Sequence, residues 1–153
     1  MRYYDASETN YVLSDYQKGW LEAAIDGEGS LYFVKNKDES TRRGFVWKVI
    51  VEIGNTNIAF LEKARDTCGG GTPVKPSKGK SPNWKPHWKQ MYYWYMKNPQ
   101  IEGILPQLNL IIKSEHVWLI LEALDLLKEH TAWHTPNDVR LEQIYLALKE
   151  LNK

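Results

Sequence analysis

A single cysteine, Cys68, is all the thiol chemistry this chain of 153 residues holds. One cysteine cannot close an internal disulfide, and of the histidines (His87, His116, His130 and His134) only His130 and His134 stand four apart, between predicted helices and not on one. They are expected to make ordinary surface or core contacts. Long apolar runs are missing as well, which excludes a membrane-spanning helix, and Met1-Arg2-Tyr3-Tyr4-Asp5 lacks the apolar core of a secretion signal. The expectation is a soluble intracellular protein without a membrane partner, in the cytoplasm of a prokaryote or in an organelle. Excess charge of either sign is also missing: 20 basic against 19 acidic residues leave a net charge of +1, so the chain is no general polycation. Gly69-Gly70-Gly71 is not followed by Lys-Ser/Thr at P-loop spacing, so it reads as a break in the chain and not as a phosphate cradle.

What is present is a globular composition, 42% hydrophobic, in a length that suits one domain over residues 1–153. Seven Trp and nine Tyr are a heavy load of amphipathic rings, which favour interfaces and half-buried sheet surfaces. Charge is uneven along the chain. Between Thr67 and Ile101 there is no acid, while Lys75, Lys78, Lys80, Lys85, Lys89 and Lys97 all fall there. The acids Glu115, Glu122, Asp125, Glu129, Asp138, Glu142 and Glu150 gather towards the C-terminus. A basic surface set against an acidic one is the electrostatic footprint of nucleic-acid binding.

Periodicity gives the order of elements. Ser14 and Gln17 form a capping box that starts a helix near Asp15, and glycines at 27 and 29 allow the positive φ that would end it near Asp26. Strands are predicted over residues 30–37 and 45–53 around the turn at 38–44. In the second, Phe45, Trp47, Val49, Val51 and Ile53 should face the core, with Val46, Lys48, Ile50 and Glu52 on the open face. Asn57 caps a helix from Ile58 to Thr67, and a third strand starts within 72–75. A fourth, over 84–96, is aromatic on both sides in Tyr92-Tyr93-Trp94-Tyr95, so its parity stays open, and Pro86 points to an edge or bulge. Three helices follow, from Asn98 with an interruption at Pro106, from a Ser114 cap to Glu129, and after Thr135-Pro136-Asn137-Asp138. The order α-β-β-α-β-β-α-α-α describes one α+β domain with an antiparallel sheet.

The most specific stretch is the first helix and its exit, Gly19-Trp20-Leu21-Glu22-Ala23-Ala24-Ile25-Asp26-Gly27-Glu28-Gly29-Ser30. Leu21, Ala24 and Ile25 make one apolar stripe for the core. Gly19, Ala23 and Gly27 make a second, of small residues at i, i+4 and i+8, along which two backbones can approach closely. Leu21 to Gly29, L-E-A-A-I-D-G-E-G, resembles the LAGLIDADG motif of homing endonucleases, departing from it at Glu22 and at Ala23-Ala24 and carrying Glu28 where Asp is commoner. The acid-Gly-acid-Gly ending before an aromatic strand is its specific part, and the order of elements fits the αββαββα-type, single-motif members with C-terminal helices over the whole chain.

The resemblance implies an intron-encoded homing endonuclease that works as a homodimer, since one motif supplies half of an active-site helix pair. It implies sequence-specific cleavage of double-stranded DNA at a long pseudo-palindromic site by metal-dependent phosphodiester hydrolysis, leaving short 3′ overhangs. Mg²⁺ is the expected cofactor, with Mn²⁺ as a substitute and Ca²⁺ supporting binding without cleavage. By position in the motif, Glu28 and the Gly27 carbonyl would hold the metal, and Asp26 would shape the helix end. Lys113, just before a helix, matches the family's basic active-site helper. Ile53 stands where a water-ordering polar side chain is expected, so Asn55 is the candidate for that role. The family's four-stranded sheet lies in the DNA major groove. On that analogy Ser30, Tyr32, Asn36, Lys48 and Glu52 face DNA from the strands, Arg42 and Arg43 from the turn, and Lys75, Lys78, Lys80, Lys85, His87 and Lys89 from the basic stretch. Gly19, Ala23 and Gly27 would form the dimer seam. Two other functions stay open on the same fold: an RNA maturase that assists intron splicing, and a DNA-binding regulator that does not cleave.

Overall fold

The computed structural model describes residues 12–77, 83, 85–131 and 133–153. The first helix, α1 (Asp15–Glu28), opens on the capping box: the Gln17 amide donates to Ser14 Oγ (3.2 Å), and the Ser14 amide donates to Gln17 Oε1 (2.9 Å). It runs two residues past Asp26 and passes straight into β1 (Gly29–Lys37) without any positive φ at Gly27 or Gly29. Glycine at 29 answers a steric demand, not a conformational one. A Cβ there would lie 2.7 Å from the Ile25 carbonyl oxygen, so only a bare Cα lets the chain fold so tightly against its own last turn.

β1 pairs antiparallel with β2 (Phe45–Asn55) in a register that sets Gly29 against Ile53 and Lys37 against Phe45. Side chains alternate as their hydropathy dictates. Leu31, Phe33, Trp47, Val49, Val51 and Ile53 are buried, while Ser30, Tyr32, Asn36, Lys48 and Glu52 share the opposite, open face. After α2 (Ile58–Thr67), capped by Asn57, come β3 (Lys75–Pro76) and β4 (Tyr92–Tyr95), completing a four-stranded antiparallel sheet in the order β1-β2-β4-β3. The fourth strand is thus far shorter than its aromatic run suggests. Pro86 removes one ladder donor, and residues 85–91 are irregular. Trp94 is fully buried, which fixes the parity: Tyr93 and Tyr95 take the open face. Gly54 lets the Tyr93 ring cross the strand opposite, since a Cβ on it would meet that ring at 2.7 Å.

The helices α3 (Asn98–Ile104), α4 (Ser114–Leu127) and α5 (Asp138–Leu151) complete the predicted order, with a 3-10 turn (Leu105–Gln107) where Pro106 interrupts. Ser114 is the first residue of α4, not its cap; Lys113 occupies the cap position. The glycine triplet after α2 is bolted down: Gln100, fully buried, donates from Nε2 to the carbonyls of Cys68 (2.9 Å) and Gly70 (2.8 Å). One core, with Leu21, Ile25, Leu31, Ile53, Leu61, Trp94, Ile120, Leu141 and Ile144 at its centre, fills the space between helices and sheet and leaves the other sheet face uncovered. Among the described residues no helix is long and apolar enough to cross a membrane.

Candidate metal centre and nucleic-acid interface

The end of α1 is built by two acids with different surroundings. Asp26 turns back to the loop before α4, where its carboxylate accepts the amides of Ile111 (2.7 Å), Ile112 (3.2 Å) and Lys113 (3.0 Å). Lys113 returns the contact, donating from Nζ to the Asp26 carbonyl at 2.5 Å. Glu22, one turn earlier, accepts the Asn109 amide at 3.2 Å. The C-terminal half of α1 is thereby clasped to residues 109–113.

Glu28, two residues on, is exposed and has no hydrogen-bond or ion-pair partner among the described residues. It closes a helix whose last carbonyls, Gly27 among them, have no donor within the helix and carry the negative end of its dipole. A carboxylate and a carbonyl at such an end are hard oxygen donors, suited to a divalent cation such as Mg²⁺ that keeps most of its waters. Among the described residues no group of three or more His, Cys, Asp or Glu could hold a metal alone. An ion at Glu28 would therefore complete its shell from water, phosphate or a second copy of the chain.

The sheet's open face starts beside this point, because Glu28 leads directly into Ser30. Tyr32 donates from its hydroxyl to Glu52 Oε1 at 3.1 Å across the β1–β2 ladder. Tyr95 stands directly opposite Glu52 on β4. Burial, then the adjacent Glu52 charge, push the Tyr32 hydroxyl well above the ordinary phenol range and raise that of Tyr95, so both stay protonated. Tyr93 and Tyr95 are not singled out by the sequence because an unbroken aromatic run carries no alternation. Arg42, Lys48, Lys75, Lys85, His87 and Lys89 are exposed, with Lys85 Nζ 5.8 Å from the Trp88 ring centroid. Lys78 and Lys80 lie outside the described residues.

One assignment changes and a second is constrained. Arg43 does not reach towards the open face. Its guanidinium ion-pairs with Asp138 at the start of α5, donates from Nε to the Phe45 carbonyl (3.1 Å), and lies 4.4 Å from the Phe45 ring centroid. Its neighbours His130 (Nδ1 at 3.4 Å) and Trp47, whose Nε1 donates to Asp138 at 3.1 Å, complete a network that fastens the β1–β2 turn to α5. Asp138 feels burial, which raises its pKa, but the bonds from Arg43 and Trp47 outweigh that and hold it below the usual carboxylate range. Asn55 is also engaged locally, since its Oδ1 accepts the Asn57 amide at 2.8 Å and closes the turn into α2. Only its Nδ2 is left for a water, although it stands two residues past the partner of Gly29 and hence near the helix end.

The small-residue stripe is open. Gly19, Ala23 and Gly27 are exposed, a Cβ on either glycine meets nothing within 4 Å, and Val12 and Tyr16 continue the exposed line at 82% and 68% accessibility.

No protein-family profile matches this chain, and no curated protein does. Solved structures do. An archaeal intron-encoded homing endonuclease, I-Vdi141I, complexed with DNA, matches 91% of this chain and 86% of its own at a TM-score of 0.73 and 19% identity. The homing endonuclease I-CvuI, in complex with its target in the presence of Ca, matches 89% of this chain and 82% of its own at a TM-score of 0.62 and 17% identity. The LAGLIDADG homing endonuclease I-SmaMI, bound to cleaved DNA, matches 85% of this chain over 41% of its own length at a TM-score of 0.59 and 21% identity. The α+β fold of this chain is the homing-endonuclease fold.

Proposed function

We propose that this chain is a sequence-specific, metal-dependent endonuclease of double-stranded DNA, acting as a homodimer. One observation carries the reading. Of two acids a residue apart, Asp26 is fully engaged in holding the helix end, while Glu28 is presented bare where the helix meets an open sheet face. The structural relatives, solved on DNA, support duplex DNA as the partner of that face.

Each residue then has a chemical role. Glu28 and the Gly27 carbonyl hold the cation, which when bound supplies an activated water and charge stabilisation at the scissile phosphate. Lys113, fixed against the Asp26 carbonyl, sets a positive charge beside the phosphate and stabilises its developing negative charge. Asn55 offers its Nδ2 to the attacking water. The exposed strand residues and lysines position the duplex, and two copies meeting along Gly19, Ala23 and Gly27 bring one Glu28 to each DNA strand. The relative solved with its target in the presence of Ca supports divalent-metal use.

The test is Glu28→Gln. Binding to the selected DNA site in Ca²⁺ should be kept, with cleavage in Mg²⁺ reduced by about a hundredfold or more. Undiminished cleavage would sink the assignment. Specific binding of structured intron RNA without DNA cleavage by the unmodified protein would favour the maturase reading.

A further inference from the structure

We propose that Glu52, held by the Tyr32 hydroxyl and standing opposite Tyr95, selects a cytosine in each half of the DNA site. The inference rests on the DNA-binding reading above and deepens it. Glu52 is half-buried in the middle strand pair, receives the Tyr32 hydroxyl at 3.1 Å, stands opposite Tyr95, and has no ion-pair partner among the described residues. Its neighbours Tyr32, Lys48, Ile50 and Tyr95 line a cleft of about 620 Å³ on the open face.

The chemistry of this cluster is one-sided. An ionised carboxylate only accepts hydrogen bonds. Tyr32 gives its single proton to Glu52, so what it presents outward are lone pairs. The carboxylate and the Tyr32 oxygen thus stand together as acceptor centres, on a face where Lys48 and Lys75 supply donors. Phosphate is repelled by such a patch, as are the acceptors of guanine (O6, N7) and thymine (O4). In the major groove only the exocyclic amines of cytosine and adenine donate. Adenine N6 is flanked by N7, whose lone pair would face the second carboxylate oxygen or a tyrosine oxygen. Cytosine N4 is flanked by the C5–H edge, which carries no lone pair. The cluster therefore suits cytosine, and the Tyr32 hydroxyl restricts the rotamer freedom a lone glutamate would lose on binding.

The experiment is selection of bound sites from a randomised duplex library in Ca²⁺, with the intact protein and with Glu52→Gln and Tyr32→Phe. The intact protein should return a cytosine at one symmetric position per half-site. Glu52→Gln should change that position alone, towards adenine, whose N6/N7 pair matches an amide, with cytosine preference falling roughly tenfold or more. Tyr32→Phe should weaken the same preference without moving it. As a check that leaves the protein intact, each selected cytosine is replaced by an analogue lacking the 4-amino group. One position per half-site should lose affinity for the unmodified protein and lose none for Glu52→Gln. A Glu52→Gln profile identical to the unmodified one overturns this inference alone; failure of the unmodified protein to select any site overturns the DNA-binding reading with it.

Discussion

Asp26 accepts three backbone amides on two carboxylate oxygens, and an amide in its place would turn one of those acceptors into a donor facing an N–H. Asp26→Asn should therefore cost about 2 kcal/mol of unfolding free energy in urea, whereas Glu28→Gln, with no partner to lose, should stay within about 0.5 kcal/mol of the unmodified protein. That pair of variants separates the two acids of the motif: one should fail in stability, the other only in chemistry. An equal effect of both on stability would refute the division of roles. The motif's spacing in sequence identifies both acids but cannot tell them apart, because what distinguishes them is the loop 111–113, which reaches Asp26 from more than eighty residues away. The same limit explains Arg43. A turn arginine reads as a DNA contact until α5 delivers Asp138 to it.

Among the elements, the start of α5 is secured to the β1–β2 turn through Asp138, whose depressed pKa gives this junction a defined pH dependence. A carboxyl held below its unfolded value, near 3.9, contributes stability that is complete above that value and is lost as pH falls through the folded pKa. The difference in stability between the unmodified protein and Asp138→Asn should then be full at pH 7, shrink below about pH 4 and vanish once both states are protonated. Denaturant melts across that range check it, and a difference that grows on acidification would contradict the assignment. At this scale most of the architecture was legible. The capping box at Ser14, the alternation in β2 and the Asn57 cap are local signals that tertiary packing had no reason to override. The failures share one cause. In β4 every residue is aromatic, so only the depth of the core selects Trp94 to be buried. Gly29 answers close approach to Ile25, invisible without the fold, rather than a left-handed turn, while Gly27 has open space around it and no positive φ.

For the whole molecule the open stripe of α1 links stability to association. Within the protomer a methyl group at Gly19 meets nothing, so Gly19→Ala should stabilise the isolated chain by about 0.5–1 kcal/mol through helix propensity. If two copies meet there, the same methyl separates their backbones, and sedimentation should report weaker dimerisation from a protomer that melts higher. Both effects rising together would remove the seam from this stripe. The uncovered sheet face has a different consequence. Ser30, Asn36 and Lys48 are exposed and make no side-chain hydrogen bond or ion pair among the described residues, so substitutions at these positions should be nearly neutral for stability. On the proposed DNA-binding reading, a lineage of such proteins can exchange them one at a time and drift towards new DNA sequences while its core stays the same. The Tyr32–Glu52 pair, with Tyr95 opposite, is the exception: its members are coupled across the ladder, so on the same reading that part of the target changes only by several substitutions at once, and it should be the slowest letter of the site to evolve.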